Sequence, residues 1–287
     1  MAALSMLMDS ITDQGTFTGL GAGWVETGGF SVRNLVTDDV QAMARNTAVG
    51  PLPFAFTIDL GRPRAIGEVA FVNHNASKTA FFSLVISNSP DFATQVYESV
   101  GNKFWQQTEL WGSRPFGEFP FDGIDLEAFP TMPIAFLNLG QLYVGRYIKV
   151  TVFENDTTAG GWQCGRFLAG VPFTPPINMS AGSSVTVVDP SSRSRTRGGR
   201  RIVSRRPRYR QFKIVLANQS KAAAMTTYHD FMVRRGVAGD MLVIWDPDDA
   251  APVRNRLTLY CALTDTAEMA ANENGTWGLT LQVEELV

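Results

Sequence analysis

Phe54-Ala-Phe-Thr-Ile-Asp-Leu-Gly61, followed by Ile66-Gly-Glu-Val-Ala-Phe-Val72, decides how this chain is read. Phe54, Phe56, Ile58 and Leu60 alternate with Ala55, Thr57 and Asp59, the period-two pattern of a strand with one buried and one wet face. Gly61-Arg-Pro63 is expected to break the run, with a second strand beginning at Ile66. Arg146-Tyr-Ile-Lys-Val-Thr-Val-Phe153 alternates again, with Ile148, Val150 and Val152 inward. Phe81-Phe-Ser-Leu-Val-Ile-Ser87 is a further strand, ended by Asn88-Ser-Pro-Asp91. From Phe54 to Phe173 the strand signals are dense, and a β-sandwich is the first fold to test.

With 287 residues, the chain is long enough for one large or two ordinary domains, each with its own core. Apolar residues make up 45% and charged ones 18%, which excludes disordered and coiled-coil classes. No apolar run approaches the ~20 residues that span a bilayer, so no membrane partner is expected. No Lys or Arg precedes Arg33, and Asp9 and Asp13 interrupt any apolar stretch, so no export signal is expected. The chain is read as made and folded in cytoplasm. Cys164 and Cys261 have no metal-ligand spacing and suggest no disulfide framework.

The net charge of −2 hides an asymmetry. Between Arg193 and Lys213 stand nine Arg and one Lys, with no acid. Without those ten, the chain has 15 basic residues against 27 acidic ones, a balance of −12. A basic segment in an acidic protein usually meets an acidic partner. Residues 1–50 read as an irregular lead-in, 51–175 as the sandwich and 176–206 as an Arg-rich extended arm. Residues 207–287 read as a β-rich α+β domain: strand, one main helix over about 220–235, then three strands. Ser220 suits the helix N-cap, Ala224, Met225, Tyr228, Phe231 and Met232 form its apolar stripe, and Gly236 suits its end. Val100 to Leu139 reads as a long aromatic loop, its prolines arguing against ladder strands.

Nucleophilic catalysis needs Ser or Cys, a base and an orienting acid. Only His74 and His229 offer an imidazole, and no Gly-x-Ser-x-Gly elbow is present. Both read as structural histidines, so no enzyme and no cofactor are expected. Glu154 and Asp156 are the weak calcium candidates, since acidic turns outnumber calcium loops. Asn73, His74, Asn75, Trp105 and Trp111 supply the types that hold a glycan or a protein partner, amides for hydroxyls and indoles for ring faces. Packing of the loop onto the sheet explains the same aromatics. Arg193, Arg195, Arg197, Arg200, Arg201, Arg205 and Arg206 form the interaction arm. Carboxylates of a neighbouring subunit suit its guanidinium forks better than nucleic acid does, because few aromatics interleave for base stacking.

Aromatic-x-Ile-Asp-Leu-Gly, then Ile-x-x-Val, then the late Arg-Tyr-Ile-Lys-Val strand resembles the discoidin-like, galactose-binding jelly roll. The order of parts resembles minor or distal-tail (baseplate) proteins of long-tailed bacteriophages. That order is the sandwich, an Arg-rich connector with Gly198-Gly199, Arg206-Pro-Arg-Tyr-Arg210, a helix from Ser220 and Asp240-Met-Leu-Val-Ile-Trp-Asp-Pro247. The resemblance implies a virion structural protein at the tail tip, ring-forming with copies of itself and touching tube, hub and fibres. It further implies contact with host surface polysaccharide. The alternative from the same residues is a stand-alone carbohydrate-binding protein; a third reading is an Arg-arm nucleic-acid binder.

Overall fold

The computed structural model describes residues 4–26, 28–47, 53–115, 117–126, 132–154, 161–272 and 274–286. The chain is mainly β, as expected. Its first sheet gathers β2 (Thr16–Leu20), β3 (Ala44–Asn46), β4 (Phe54–His74), β5 (Phe81–Ser87), β6 (Gln95–Lys103), β7 (Ile134–Phe153) and β8 (Trp162–Gly170). Their order is β3-β8-β4-β7-β5-β6, with β2 beside β4, and every pairing is antiparallel.

The expected break at Gly61 is a bend within one strand. Gly61 takes φ +73, and the ladder with β7 slips between Asp59 and Arg64 but resumes beyond it. Arg146 clamps Asp59 across the bend at 2.7 Å. Register shows the consequence: Phe54–Asp59 lies with the β7 segment that borders β5, and Glu68–Val72 lies with β8. β4 and β7 therefore pass from one layer to the other, the way a strand turns a sandwich corner. Rings from both layers meet inside, with Phe56 5.4 Å from Phe167 and Phe71 4.9 Å from Phe82. The Val100–Leu139 loop is shorter than expected at both ends, because β6 runs to Lys103 and β7 starts at Ile134.

The second sheet has the order β1-β13-β14-β16-β12-β9, with β15 on β16. It comprises β1 (Ser5–Leu7), β9 (Ser184–Val188), β12 (Tyr209–Gln219), β13 (Asp240–Ile244), β14 (Thr258–Leu263), β15 (Met269–Ala271) and β16 (Trp277–Glu285). The lead-in thus supplies β1 here and β2 and β3 to the sandwich. A three-residue strand such as β1 is too short for its periodicity to announce it. The 221–235 helix begins where Ser220 Oγ accepts from Ala223 N at 3.1 Å, and Gly236 ends it at φ +54. Ala224, Tyr228 and Phe231 of the helix are buried; Tyr228 and Phe231 pack with Phe212, Ile214, Val243 and Leu259.

β13 and β14 are buried on both faces. Their other side meets the sandwich: Leu7, Leu242, Ile244 and Tyr260 pack on Ala70, Val72 and Leu168. Arg166, fully buried, crosses this junction to Asp240 at 2.8 Å and Asp13 at 2.7 Å, and Tyr260 donates to Asp240 at 2.8 Å. Arg235 joins the network through Asp13 at 3.0 Å and Asp9 at 3.1 Å. The expected extended arm is instead a hairpin, β10 (Ser192–Arg195) on β11 (Arg201–Ser204), closed by a turn in which Gly199 has φ +80. Among the described residues, no helix is long and apolar enough to cross a membrane.

Candidate functional site

The aromatic loop after β6 is anchored at its root and exposed at its tip. Phe104, Trp105 and Ile124 enter the sandwich core, and Trp105 Nε1 donates to Ala76 O at 2.7 Å. The loop then lies along the short helix Ala251–Arg256. Arg254 donates to Gln106 Oε1, Asn255 Nδ2 to Gln107 O at 3.2 Å, and Arg256 to Thr108 O at 2.8 Å and Glu109 at 3.3 Å. Arg114 binds Asp125 at 2.7 Å and Glu109 at 3.4 Å, so the loop is pinned by ion pairs where prolines deny it a ladder.

Leu110 to Ser113 is a turn, closed by Ser113 N donating to Leu110 O at 3.0 Å. At its tip Trp111 is 81% exposed, with the Phe119 ring edge-on at 5.0 Å; Phe121 is 100% exposed. The ends of the turn border a cleft of about 380 Å³ lined by Glu109, Leu110, Ser113, Pro252, Val253 and Arg256. At the foot of the turn Ser113 Oγ and Arg256 both donate to Glu109, at 3.2 and 3.3 Å, and the exposed indole of the turn is of the type that stacks on an apolar ring face.

Asn73, His74 and Asn75 do not join this site. Asn73 Nδ2 donates to Val40 O at 3.1 Å. Asn75 donates to Gly161 O at 3.0 Å and accepts from Gln163 N at 2.6 Å, which stitches the end of β4 to β8. His74 is 3% exposed between Phe104 and Trp105, and burial holds its pKa down to about 3, a neutral ring. Of the five expected glycan or partner residues, Trp111 alone is exposed; the half-buried amides tie the end of β4 to Val40 and to β8, and the Trp105 and His74 rings fill the core. Phe119, whose ring edge meets Trp111, has no signal in the sequence beyond its place in the aromatic loop.

His229 is exposed beside Asp230 at 3.3 Å, remote in sequence from either thiol. Cys164 and Cys261 are buried, and burial pushes the Cys164 thiol up to about 12, which leaves it un-ionised and inert. Glu154 accepts from Ser77 N at 2.8 Å and from the Ser77 hydroxyl, a turn-holding role. Asp156 lies outside the described residues, among which no group of three His, Cys, Asp or Glu could hold a metal.

The arginine hairpin is exposed along both strands. Arg195 stands directly opposite Arg201, and Arg193 opposite Val203. Beside it is a groove of about 680 Å³ lined by Arg193, Arg201, Val203, Arg205, Arg206 and Arg208, with Asp189 and Ser191 at its margin. Hydrogen bonds from Ser191, then the Arg208 guanidinium at 3.2 Å, lower Asp189 to about 2. Arg195, Arg197 and Arg200 belong to the hairpin but not to the groove; Arg208, outside the expected arm, does belong. Arg210 is buried on Glu285 at 2.6 Å.

No protein-family model and no curated protein matches this chain. Solved structures that resemble it are carbohydrate-binding modules. CpGH89CBM32-5 from Clostridium perfringens, in complex with GalNAc-β-1,3-galactose, is 13% identical with a TM-score of 0.39, covering 57% of this chain and 100% of its own. Chitosan-binding module 2 of the Paenibacillus sp. IK-5 chitosanase/glucanase, in complex with chitotriose, is 17% identical with a TM-score of 0.36, covering 56% and 99%. The family 32 module of Streptococcus pneumoniae EndoD is 11% identical with a TM-score of 0.37, covering 56% and 98%. No residue of this chain takes a role from these likenesses.

Proposed function

We propose that this chain is a non-catalytic binding protein that holds a saccharide on the Trp111 turn. The single observation that carries this reading is an exposed indole on a turn whose ends, Leu110 and Ser113, line a small cleft with Glu109 and Arg256. Tryptophan is enriched where a partner is met, because its ring offers a large apolar face and a polar edge. The cleft volume falls within the range of small-ligand sites. Calorimetric titration with neutral and acidic oligosaccharides, comparing the native chain with Trp111→Ala, tests it. Binding that the variant retains in full refutes the reading. Release of a shortened saccharide during the titration refutes its non-catalytic part.

A second reading, a virion tail-tip component that forms a ring and connects tube, hub and fibres, is favoured by the edge of the second sheet. β9 ends the strand order, with Val185 and Val187 exposed and its outer backbone groups open among the described residues. Open apolar edges invite pairing with another copy, and the hairpin beside it offers arginines to an acidic neighbour. Light scattering separates the two readings: a chain that stays monomeric at every concentration ends the ring reading.

A further inference from the structure

The groove beside the β10–β11 hairpin is electrostatically unbalanced. Among its five arginines, only Arg208 has an ion pair in the described structure, and its partner Asp189 is the only acid in the lining. Arg195 and Arg201 face each other across the strands, an arrangement that costs stability unless an anion sits against it. The fold gains nothing visible from this, because both strands are exposed and neither enters a core cluster.

The groove is linked to the aromatic turn through the start of β12 and the 251–256 helix. Arg208 and Arg210 are two residues apart as the chain enters β12. Arg210 Nη1 donates to Arg256 O at 2.7 Å, and Arg256 Nη2 donates to Glu109 at the foot of the Trp111 turn. Chain connection from Arg208 to Arg210 and two hydrogen bonds thus link the groove's last arginine to the foot of the Trp111 turn.

We infer that the arginine groove is a second subsite of the same binding surface, taking carboxylate or sulfate groups of a polyanionic saccharide whose neutral ring faces lie on Trp111. This rests on the saccharide reading above and names its ligand class. Guanidinium forks bind planar oxyanions in pairs, which suits acidic groups repeating along a polymer. A protein partner fits the groove less well, since interface cores are depleted of charge and Val203 is the only apolar lining residue. Single-stranded nucleic acid is disfavoured by a lining without an aromatic platform for bases.

The test uses the full chain and matched pairs, hexamannuronate with mannohexaose and hexagalacturonate with galactohexaose, titrated at low and high salt. At least one acidic member is expected to bind about tenfold more tightly than its neutral partner, with the gap closing as salt rises. Arg193→Ser/Arg201→Ser/Arg205→Ser is expected to erase the gap while neutral binding stays unchanged. Trp111→Ala is expected to weaken both members. Neutral binding with no acidic advantage overturns this inference and leaves the Trp111 reading standing. Failure of all four oligosaccharides overturns both. A gap that survives the triple variant, or tighter binding of polyglutamate or oligothymidylate that ignores Trp111→Ala, assigns the groove elsewhere and overturns the inference.

Discussion

Arg166→Met is the perturbation on which the two-sheet assembly is most exposed. Arg166 has 0% exposure and donates to Asp240 from Nε at 3.0 Å and from Nη2 at 2.8 Å. Asp240, also buried, would retain only the Tyr260 hydroxyl among its side-chain donors. Asp13 would keep Arg235. Removing one member of a buried pair strands the other charge in a low dielectric and costs about 3–5 kcal/mol. With a urea m-value of about 1–3 kcal/mol/M, the midpoint should fall by roughly 1–5 M. The assay is urea unfolding followed by far-ultraviolet circular dichroism and by tryptophan fluorescence. Because the pair sits between the sheets, both signals should weaken together. Arg166→Met/Asp240→Leu should recover most of the loss, since Leu168, Leu242 and Ile244 surround the site with apolar atoms. Part stays lost because the Tyr260 hydroxyl keeps no carboxylate partner, worth about 1 kcal/mol. A single variant within ~1 kcal/mol of the native chain, or a double variant no better than the single, would refute the reasoning.

Two buried groups should give opposed pH dependences. Burial raises the Glu68 carboxyl from 4.5 to about 7, so the folded state holds the extra proton and stability falls as pH rises between those values. Burial lowers His74 from 6.5 to about 3, so the unfolded state holds the extra proton and stability rises with pH across that window. The native chain should therefore be nearly flat between about pH 4.5 and 6.5, where each group contributes about 1.4 kcal/mol per pH unit with opposite sign. Glu68→Gln should expose the rise and His74→Phe the fall; a variant profile parallel to the native one contradicts the assignment. Ser220→Ala should cost about 1 kcal/mol in thermal or urea unfolding by removing the N-cap acceptor, and no change would mean the cap is replaced locally. Gly165→Ala would drive a Cβ into the Val40 carbonyl oxygen, so it should lower stability by about 2 kcal/mol or more; a native-like unfolding midpoint rules out the close approach.

Phe54–Leu60, Phe81–Ser87 and Tyr147–Phe153 were legible because one face is wet and the other dry, a contrast that repeats every second residue. The helix was legible from its cap, stripe and terminal Gly236. β13 reads less sharply, being covered on one side by the helix and on the other by the sandwich, so alternation disappears. The short β1 and the Arg166–Asp240 pair, 74 positions apart, have no local signature at all. The same holds at the site. Composition supplied the aromatic loop and the arginine cluster, and Trp111 was among its candidates. Only tertiary structure put Trp105 and His74 inside, spent Asn73 and Asn75 on Val40 and β8, and folded the arm into a hairpin. Sequence by itself determined which segments have two unlike faces, because periodicity is a property of neighbours along the chain. Which of those faces meet, and which aromatic stays outside, depended on contacts between residues far apart in number, and those exist only once the sheets have packed.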